Sequence, residues 1–284
     1  MQSNHPLVTV GVALYNHEKY IVDCLKSIAE QTFTDIELIV IDDGSSDKSY
    51  NVAKSYLESQ DMVKFTIKTR KNIGMCNTLN EIAHLSQGKY ISFVGSDDYW
   101  AKDKIKDQVE FLENNPSIAL VHSNSIVVND ENIETSTIEY QNRKNSSDLF
   151  EAILFGKGGI NTPSHLYRTS IYSEIGYYDS SFRFEDTDFW LRVTNRFKVG
   201  FINKFHTYYR WHDDNLSGSA NKLKFYNDEI VKIYRKNIAD SVLKQKAISR
   251  IYKKSLLVAL RTFRVNYFLK YFIKYISCKF FAKC

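Results

Sequence analysis

Proline is scarce in this chain, 3 of 284 residues, and glycine is modest at 11. Collagen-like and Pro/Gly-rich disordered classes are therefore excluded. The 4 cysteines, Cys24, Cys76, Cys278 and Cys284, form no CxxC pair and no Cys/His cluster. Their spacing argues against a structural zinc site and a disulfide framework, and it fits a reducing cytosol. The opening residues, Met1 to Pro6, lack the basic-then-apolar order of a signal peptide. No apolar run approaches the ~18 residues that a bilayer-spanning helix needs. Acidic residues are missing from Lys244 onward, where eleven Lys and Arg stand. Of the net charge of +5, this tail carries +11 and the remaining residues −6. A basic tail on an acidic body predicts chemistry in the body and an anionic surface for the tail.

What is present reads as an ordinary globular chain. Hydrophobic residues make up 43% and charged residues 25%, enough for one large domain, or one domain with an appendage. The first hundred residues alternate strand and helix. Leu7 to Ala13 is a β-rich apolar run. Asn16 is a candidate cap for a helix with Ile21, Val22, Leu25, Ile28 and Ala29 on one face. Ile36 to Ile41 reads as a central strand of a parallel sheet. It ends at Asp42-Asp43-Gly44-Ser45. A second helix places Tyr50, Ala53 and Leu57 together. Phe65-Thr66-Ile67 is a short strand, and Asn72 is a candidate cap for a third helix ending near Leu85. Tyr90 to Val94 is a strand that runs into Gly95-Ser96-Asp97-Asp98.

This β-α-β-α-β-α-β order predicts an α/β fold, Rossmann-like, with a mostly parallel sheet flanked by helices. Ligands of such sheets sit beyond the carboxyl ends of the strands. Asp42/Asp43 and Asp97/Asp98 both fall there and are expected to face one crevice. Further along, Ile118 to Ser123 reads as a strand with Ile126-Val127-Val128 pairing to it. Asp130 to Ser147 reads as a polar loop, and Asp148 to Phe155 as a short helix. Ser164 to Tyr167, Phe201-Ile202 and Tyr208 to Trp211 are strand-like, and a loop follows at His212 to Asn215. The expected boundaries are 1–100 for a donor-binding half, 101–215 for an acceptor and catalytic half, and 216–284 for a C-terminal helical extension.

Four features carry the chemistry: Asp42-Asp43-Gly44-Ser45, Asp97-Asp98, Glu185-Asp186 and Arg210-Trp211-His212. Each alone has a bland explanation. Asp-Gly after a strand makes a turn, paired Asp at a strand end are solvated, and carboxylates in a first helical turn complement the dipole. Their order on a strand–helix alternation points further. A nucleotide-sugar donor leaves as a diphosphate, whose charge a hard cation, Mn²⁺ or Mg²⁺, neutralises through carboxylate and phosphate oxygens. An acceptor hydroxyl needs a carboxylate base within hydrogen-bond reach, and Asp186 is the candidate.

The residues Val8 to Asn16, Leu25 to Ile28 with Gln31-Thr32-Phe33, and Glu37 to Asp47 resemble family-2 glycosyltransferases of the GT-A fold. Asn72-Ile73-Gly74, Gly88 to Ile91, Asp97-Asp98, Glu185-Asp186, and Tyr209 to His212 with Asn215-Leu216-Ser217 extend the likeness over the first 215 or so residues. The resemblance implies inverting transfer from a UDP-sugar with a divalent cation, in bacterial surface-polysaccharide synthesis. It places Asp43 at the uracil, Asp97 at the ribose or a metal-bound water, Asp98 on the metal and Asp186 as the base. It puts His212 near the diphosphate or metal, and Ala13 and Tyr15 along the nucleotide pocket, with Asp42 and Asn72 nearby. The chain departs from the family pattern at Leu79, where a basic residue often precedes the position of Asn80. It also lacks the Gln-x-x-Arg-Trp pattern of processive synthases, which implies addition of a single sugar.

The tail reads as an amphipathic basic helix. At 100° per residue, Arg250, Lys254, Arg261 and Arg264 project to one side, opposite Tyr252, Leu256, Ala259, Leu260 and Phe263. Near Asn266 the phase breaks and an aromatic, basic stretch follows. This fits an anionic membrane interface; the alternative is a helix packed on the body. No nucleic-acid motif accompanies the charge. The expected partners are a UDP-sugar, a saccharide acceptor that is lipid-linked, and the inner face of the cell membrane, from the cytoplasm. Two rival functions remain at this point. A non-catalytic nucleotide-sugar-binding subunit conflicts with the full set of carboxylates. A nucleotidyltransferase lacks its Gly-rich basic phosphate loop after the first strand.

Overall fold

The apolar runs and one-faced helices of the first hundred residues assemble in a computed structural model that describes residues 6–60, 64–140, 146–212, 215 and 223–281. The elements run β1 (Val8–Leu14), α1 (Ile21–Ala29), β2 (Ile36–Asp42), α2 (Ser49–Ser59), β3 (Phe65–Thr69), α3 (Met75–Leu85), β4 (Tyr90–Gly95), β5 (Tyr99–Trp100) and α4 (Lys104–Asn114). They continue with β6 (Ile118–Val128), β7 (Glu134–Ile138), α5 (Ser146–Leu154), β8 (Leu166–Arg168), α6 (Ile171–Ile175), α7 (Glu185–Arg196) and β9 (Lys198–Arg210). The helices α8 (Leu223–Asn237), α9 (Ser241–Arg261) and α10 (Val265–Phe281) complete the described chain.

The strands form one sheet in the order β3-β2-β1-β4-β8-β6-β9-β5, with β7 pairing to β6. The pairs β1–β2, β1–β4 and β2–β3 are parallel. Every residue of β1 and β2 is buried, as expected where helices cover both faces. One face of β1 and β2 packs Val8, Val10, Val12, Leu38 and Val40 against Ile21, Leu25 and Ile28 of α1. On the other face, Ile39 and Ile41 join Ile82 and Ala83 of α3 and Phe189, Trp190 and Val193 of α7. The helix-flanked parallel arrangement that the strand–helix alternation predicts holds for β3-β2-β1-β4, but the sheet as a whole is mixed, because β4–β8, β6–β8, β6–β7 and β5–β9 are antiparallel and only β6–β9 of the second half is parallel.

Several local expectations are corrected. Ile118–Ser123 and Ile126–Val128 are not two paired strands but the single long strand β6, whose partners are β7, β8 and β9. Buried Ser123, Asn124 and Ser125 fill its middle, and their polarity hides its continuity. The polar stretch after Asp130 contains the strand β7. Asn16 does not cap α1, which starts at Ile21. Instead it stands at φ 53°, a left-handed conformation that Asn tolerates, and its Oδ1 accepts the Ser46 N–H at 2.8 Å. Gly74, not Asn72, precedes the first turn of α3. Residues 213–214 of the expected loop, and Leu216-Ser217 of the stretch that carries the family resemblance, lie outside the described residues.

The tail forms the helices α9 and α10, parted at 262–264 where the periodicity breaks. Tyr252 and Ala259 are buried, and Tyr252 joins Ile230, Val231 and Tyr234 of α8 and Tyr271 and Cys278 of α10 in one cluster. Leu154, Phe155 and Leu191 belong to the same cluster and tie the tail to the body. The apolar face expected of 250–265 therefore divides, because Leu260 and Phe263 stay exposed. Cys24 and Cys76 are buried free thiols, whereas Cys278 is disulfide-bonded. Among the described residues no helix is long and apolar enough to cross a membrane.

Candidate active site

The carboxyl ends of β1, β2 and β4 lie side by side, with Leu14 opposite Asp42 and Ala13 opposite Gly95. Asp42 is consumed by the turn that follows β2. Its carboxylate accepts the Ser45 hydroxyl, and also the Thr69 hydroxyl at 2.7 Å. Asp43 accepts the backbone N–H of Ile73 at 2.8 Å and of Gly74 at 2.9 Å, and it pairs with Arg70. Gly44 between these contacts has φ +74°. A Cβ there would stand 2.8 Å from the Asn72 nitrogen and 2.9 Å from the Arg70 carbonyl oxygen, so the loop closes only over glycine. Asn72 and Tyr15 are exposed beside this loop.

A cavity of about 260 Å³ opens next to it, and its walls include Ala13, Met75, Leu79, Asp98, Glu185 and Asp186. Ala13, Asp98 and Asp186, drawn from widely separated stretches, thus face one space. Asp43 adjoins that space, since its partner Gly74 precedes Met75 in the wall. Leu79, where the resemblance implies a basic residue, supplies an apolar surface instead. The next residue, Asn80, clamps the backbone of Tyr178 with two hydrogen bonds of 2.9 Å, and Tyr178 is also in the wall.

Asp186 sits in the first turn of α7. The Thr187 N–H donates to its Oδ1 at 2.5 Å and the Thr162 hydroxyl to its Oδ2 at 3.4 Å. The Trp190 indole N–H donates to Thr162 Oγ1 at 3.1 Å and holds that hydroxyl. Burial raises the Asp186 carboxyl above its ordinary value and outweighs these donors. Glu185 is pushed up to about 8, by burial first and then by the charges of Asp186 and Glu229. At neutral pH Glu185 is therefore mostly protonated, and its charge does not oppose that of Asp186.

Asp97 and Asp98 separate into two roles. Asp98 Oδ1 accepts the backbone N–H of Arg210 at 2.8 Å, and the Arg210 Nε donates to the Asp97 carbonyl at 2.9 Å. Burial and then the charge of Asp97 push Asp98 well up. For Asp97 burial is again the largest influence and raises the pKa, but His212, His17 and a backbone N–H together outweigh it and leave it lowered. His212 Nε2 lies 3.1 Å from Asp97 Oδ2, not against Asp98. His17 Nδ1 lies 2.7 Å from the Ser96 hydroxyl and 4.0 Å from Asp97 Oδ1.

His17, Asp97 and His212 present ligand atoms all within 4.8 Å of one another. Two imidazole nitrogens and a carboxylate oxygen fit a divalent cation of the Mn²⁺ kind better than Mg²⁺, which favours oxygen alone. Sequence reasoning missed His17, Arg70 and Thr162. Each acts through a partner distant along the chain, so none of the three stood out in the sequence.

An α/β sheet with carboxylates converging beyond the carboxyl ends of its parallel strands defines a protein that binds its ligand in the crevice there. The Glycosyl transferase family 2 profile matches residues 9–176. The chain belongs to that family and is a glycosyltransferase with the GT-A fold. It is 29% identical over 240 residues to the uncharacterized glycosyltransferase MJ1057 of Methanocaldococcus jannaschii, covering 83% of this chain and 82% of that one. It is 26% identical over 226 residues to the UDP-Glc:alpha-D-GlcNAc-diphosphoundecaprenol beta-1,3-glucosyltransferase WfaP of Escherichia coli, covering 77% and 82%. Among solved structures, TarS 1–349 of S. aureus in complex with UDP-GlcNAc superposes with a TM-score of 0.73. The identity there is 18%, over 96% of this chain and 81% of that one.

Proposed function

We propose that this glycosyltransferase moves one sugar from a UDP-sugar, with inversion, to a hydroxyl of a lipid-linked saccharide in surface-polysaccharide synthesis. The observation that carries the proposal is the single cavity walled by Ala13, Asp98 and Asp186, with Asp43 adjoining. The donor class is supported by the names of WfaP and TarS 1–349, and the lipid-linked acceptor by WfaP alone.

In this reading Asp43 and the exposed Tyr15 and Asn72 flank the nucleotide, and Asp97 faces the ribose and diphosphate. Asp186 accepts the proton of the acceptor hydroxyl as that oxygen attacks the anomeric carbon from the side opposite the diphosphate. Its raised pKa makes it a stronger base than an exposed Asp. Neutral Glu185 lets Asp186 alone carry the negative charge that faces an oxocarbenium-like centre. A Mn²⁺ or Mg²⁺ ion, held by Asp97 with His212 and His17 and beside Asp98, would neutralise the departing diphosphate.

The test is a panel of UDP-sugars with Mn²⁺, assayed for donor hydrolysis and for transfer, with and without chelator. Release of UDP that the chelator abolishes supports the account. UDP binding without turnover of any donor would favour a non-catalytic partner subunit instead.

A further inference from the structure

The helix α10 has two apolar faces, and the body uses only one of them. Tyr271 and Cys278 are buried in the cluster shared with α8 and α9. Val265, Leu269, Phe272, Ile273 and Phe280 recur at i, i+4, i+7, i+8 and i+15, which places them on one side of a helix. That side points away from the body, with each of these residues between 44% and 67% exposed. The stripe is about 22 Å long at the helical rise per residue. It begins at the α9–α10 turn, whose tip, Phe263, is 92% exposed at φ 53°.

The same hairpin carries exposed cations. Lys253, Lys254 and Arg261 lie on α9, Arg264 lies in the turn, and Lys279 lies on α10. Lys270 and Lys274 are already paired with Asp228, each at 2.8 Å, so the outward charge comes from the others. No acidic residue occurs from Lys244 to the end of the chain.

We propose that the α9–α10 hairpin docks on an anionic phospholipid bilayer. Phe263 and the Val265–Phe280 stripe enter the interface, and the flanking Lys and Arg meet the headgroups. An apolar stripe this long gains by leaving water, and an edge of cations gains only against a negative surface. A second copy of this chain would bring the same basic rim against itself and be repelled. The proposal does not rest on the sugar-transfer reading, because it uses none of the cavity residues.

The experiment sediments the full chain with vesicles of phosphatidylcholine alone and of phosphatidylcholine containing phosphatidylglycerol. The wild type should pellet with the second kind and not the first, and salt should release it. The variant carrying Leu269→Ser, Phe272→Ser and Ile273→Ser, and separately Phe263→Ser, keep buried contacts intact, and equal thermal melting with the wild type checks this. The triple variant should bind at least about tenfold more weakly, and Lys254→Glu with Arg261→Glu should do likewise at low salt. Hydrolysis of a soluble UDP-sugar should be unchanged in all of them. Failure of the wild type to pellet with anionic vesicles, or equal pelleting of the triple variant, overturns the proposal. So does a stable dimer in light scattering that the triple variant breaks. Absence of donor hydrolysis in the wild type would count against the sugar-transfer reading and leave vesicle binding untouched.

Discussion

Asp186 is half-buried at the cavity wall, and the desolvation of its carboxylate outweighs the donors from Thr187 and Thr162 and sets how it titrates. Its raised pKa means that the base form is lost on acidification at a pH above the 3.8 of an ordinary aspartate. The rate of transfer should therefore rise with pH through that raised value and then level off, read from kcat against pH. Asp186→Asn should lower kcat by about 10²–10⁴-fold and leave donor affinity nearly unchanged. Other groups add to the pH dependence of stability, the buried His165 as well as His122. Burial lowers the pKa of His122 from 6.5 to about 3. Its folded-state pKa is depressed, so between pH 6.5 and 3 the unfolded chain binds the extra proton and stability falls as pH falls. In urea denaturation between pH 6 and 4.5, His122→Gln should flatten the dependence by about 1.4 kcal/mol per pH unit. Asp43, Asp98 and Asp186 were legible in the sequence because carboxylates stand out at strand and helix ends. His17 was not, since it gains meaning only when Ser96 and Asp97 arrive from 79 and 80 positions away.

Elements were legible where burial is uniform. β1 and β2 are buried throughout and mostly apolar, and α1 buries one face, so the strands and helices of the first hundred residues read correctly although the caps at Asn16 and Asn72 did not. β6 did not, because Ser123 and Asn124 interrupt its apolar pattern, although the Ser123 backbone and the Asn124 side chain find partners inside the fold. Asn161 donates to the Ser123 carbonyl at 2.8 Å, and Asn124 donates to Asn203 at 3.0 Å. The same logic makes Asn80 a joint between α3 and the segment leading to α7. Its side chain donates to the carbonyl of Tyr178 and accepts from its N–H. Asn80→Ala should cost roughly 1–3 kcal/mol, measured by urea denaturation. It should also raise the KM for the donor, because Tyr178 lines the cavity.

The whole molecule divides its charge, with a basic tail and an acidic remainder. That division was visible in composition, but the face each residue takes was not. Periodicity grouped Tyr252 and Ala259 with Leu260 and Phe263, whereas packing against α8 and α10 buries the first two and leaves the others outside. The sheet and α7 bring residues from β1, the end of β4 and the start of α7 to one cavity, and the account of sugar transfer stands on that convergence. Its most direct test is the structure of the chain soaked with UDP and Mn²⁺. The account predicts uracil against Asp43, the ion at Asp97 and His212, and Asp186 across the cavity from the diphosphate. A nucleotide bound away from this cavity, or bound here with Asp186 turned into a separate hollow, would contradict it.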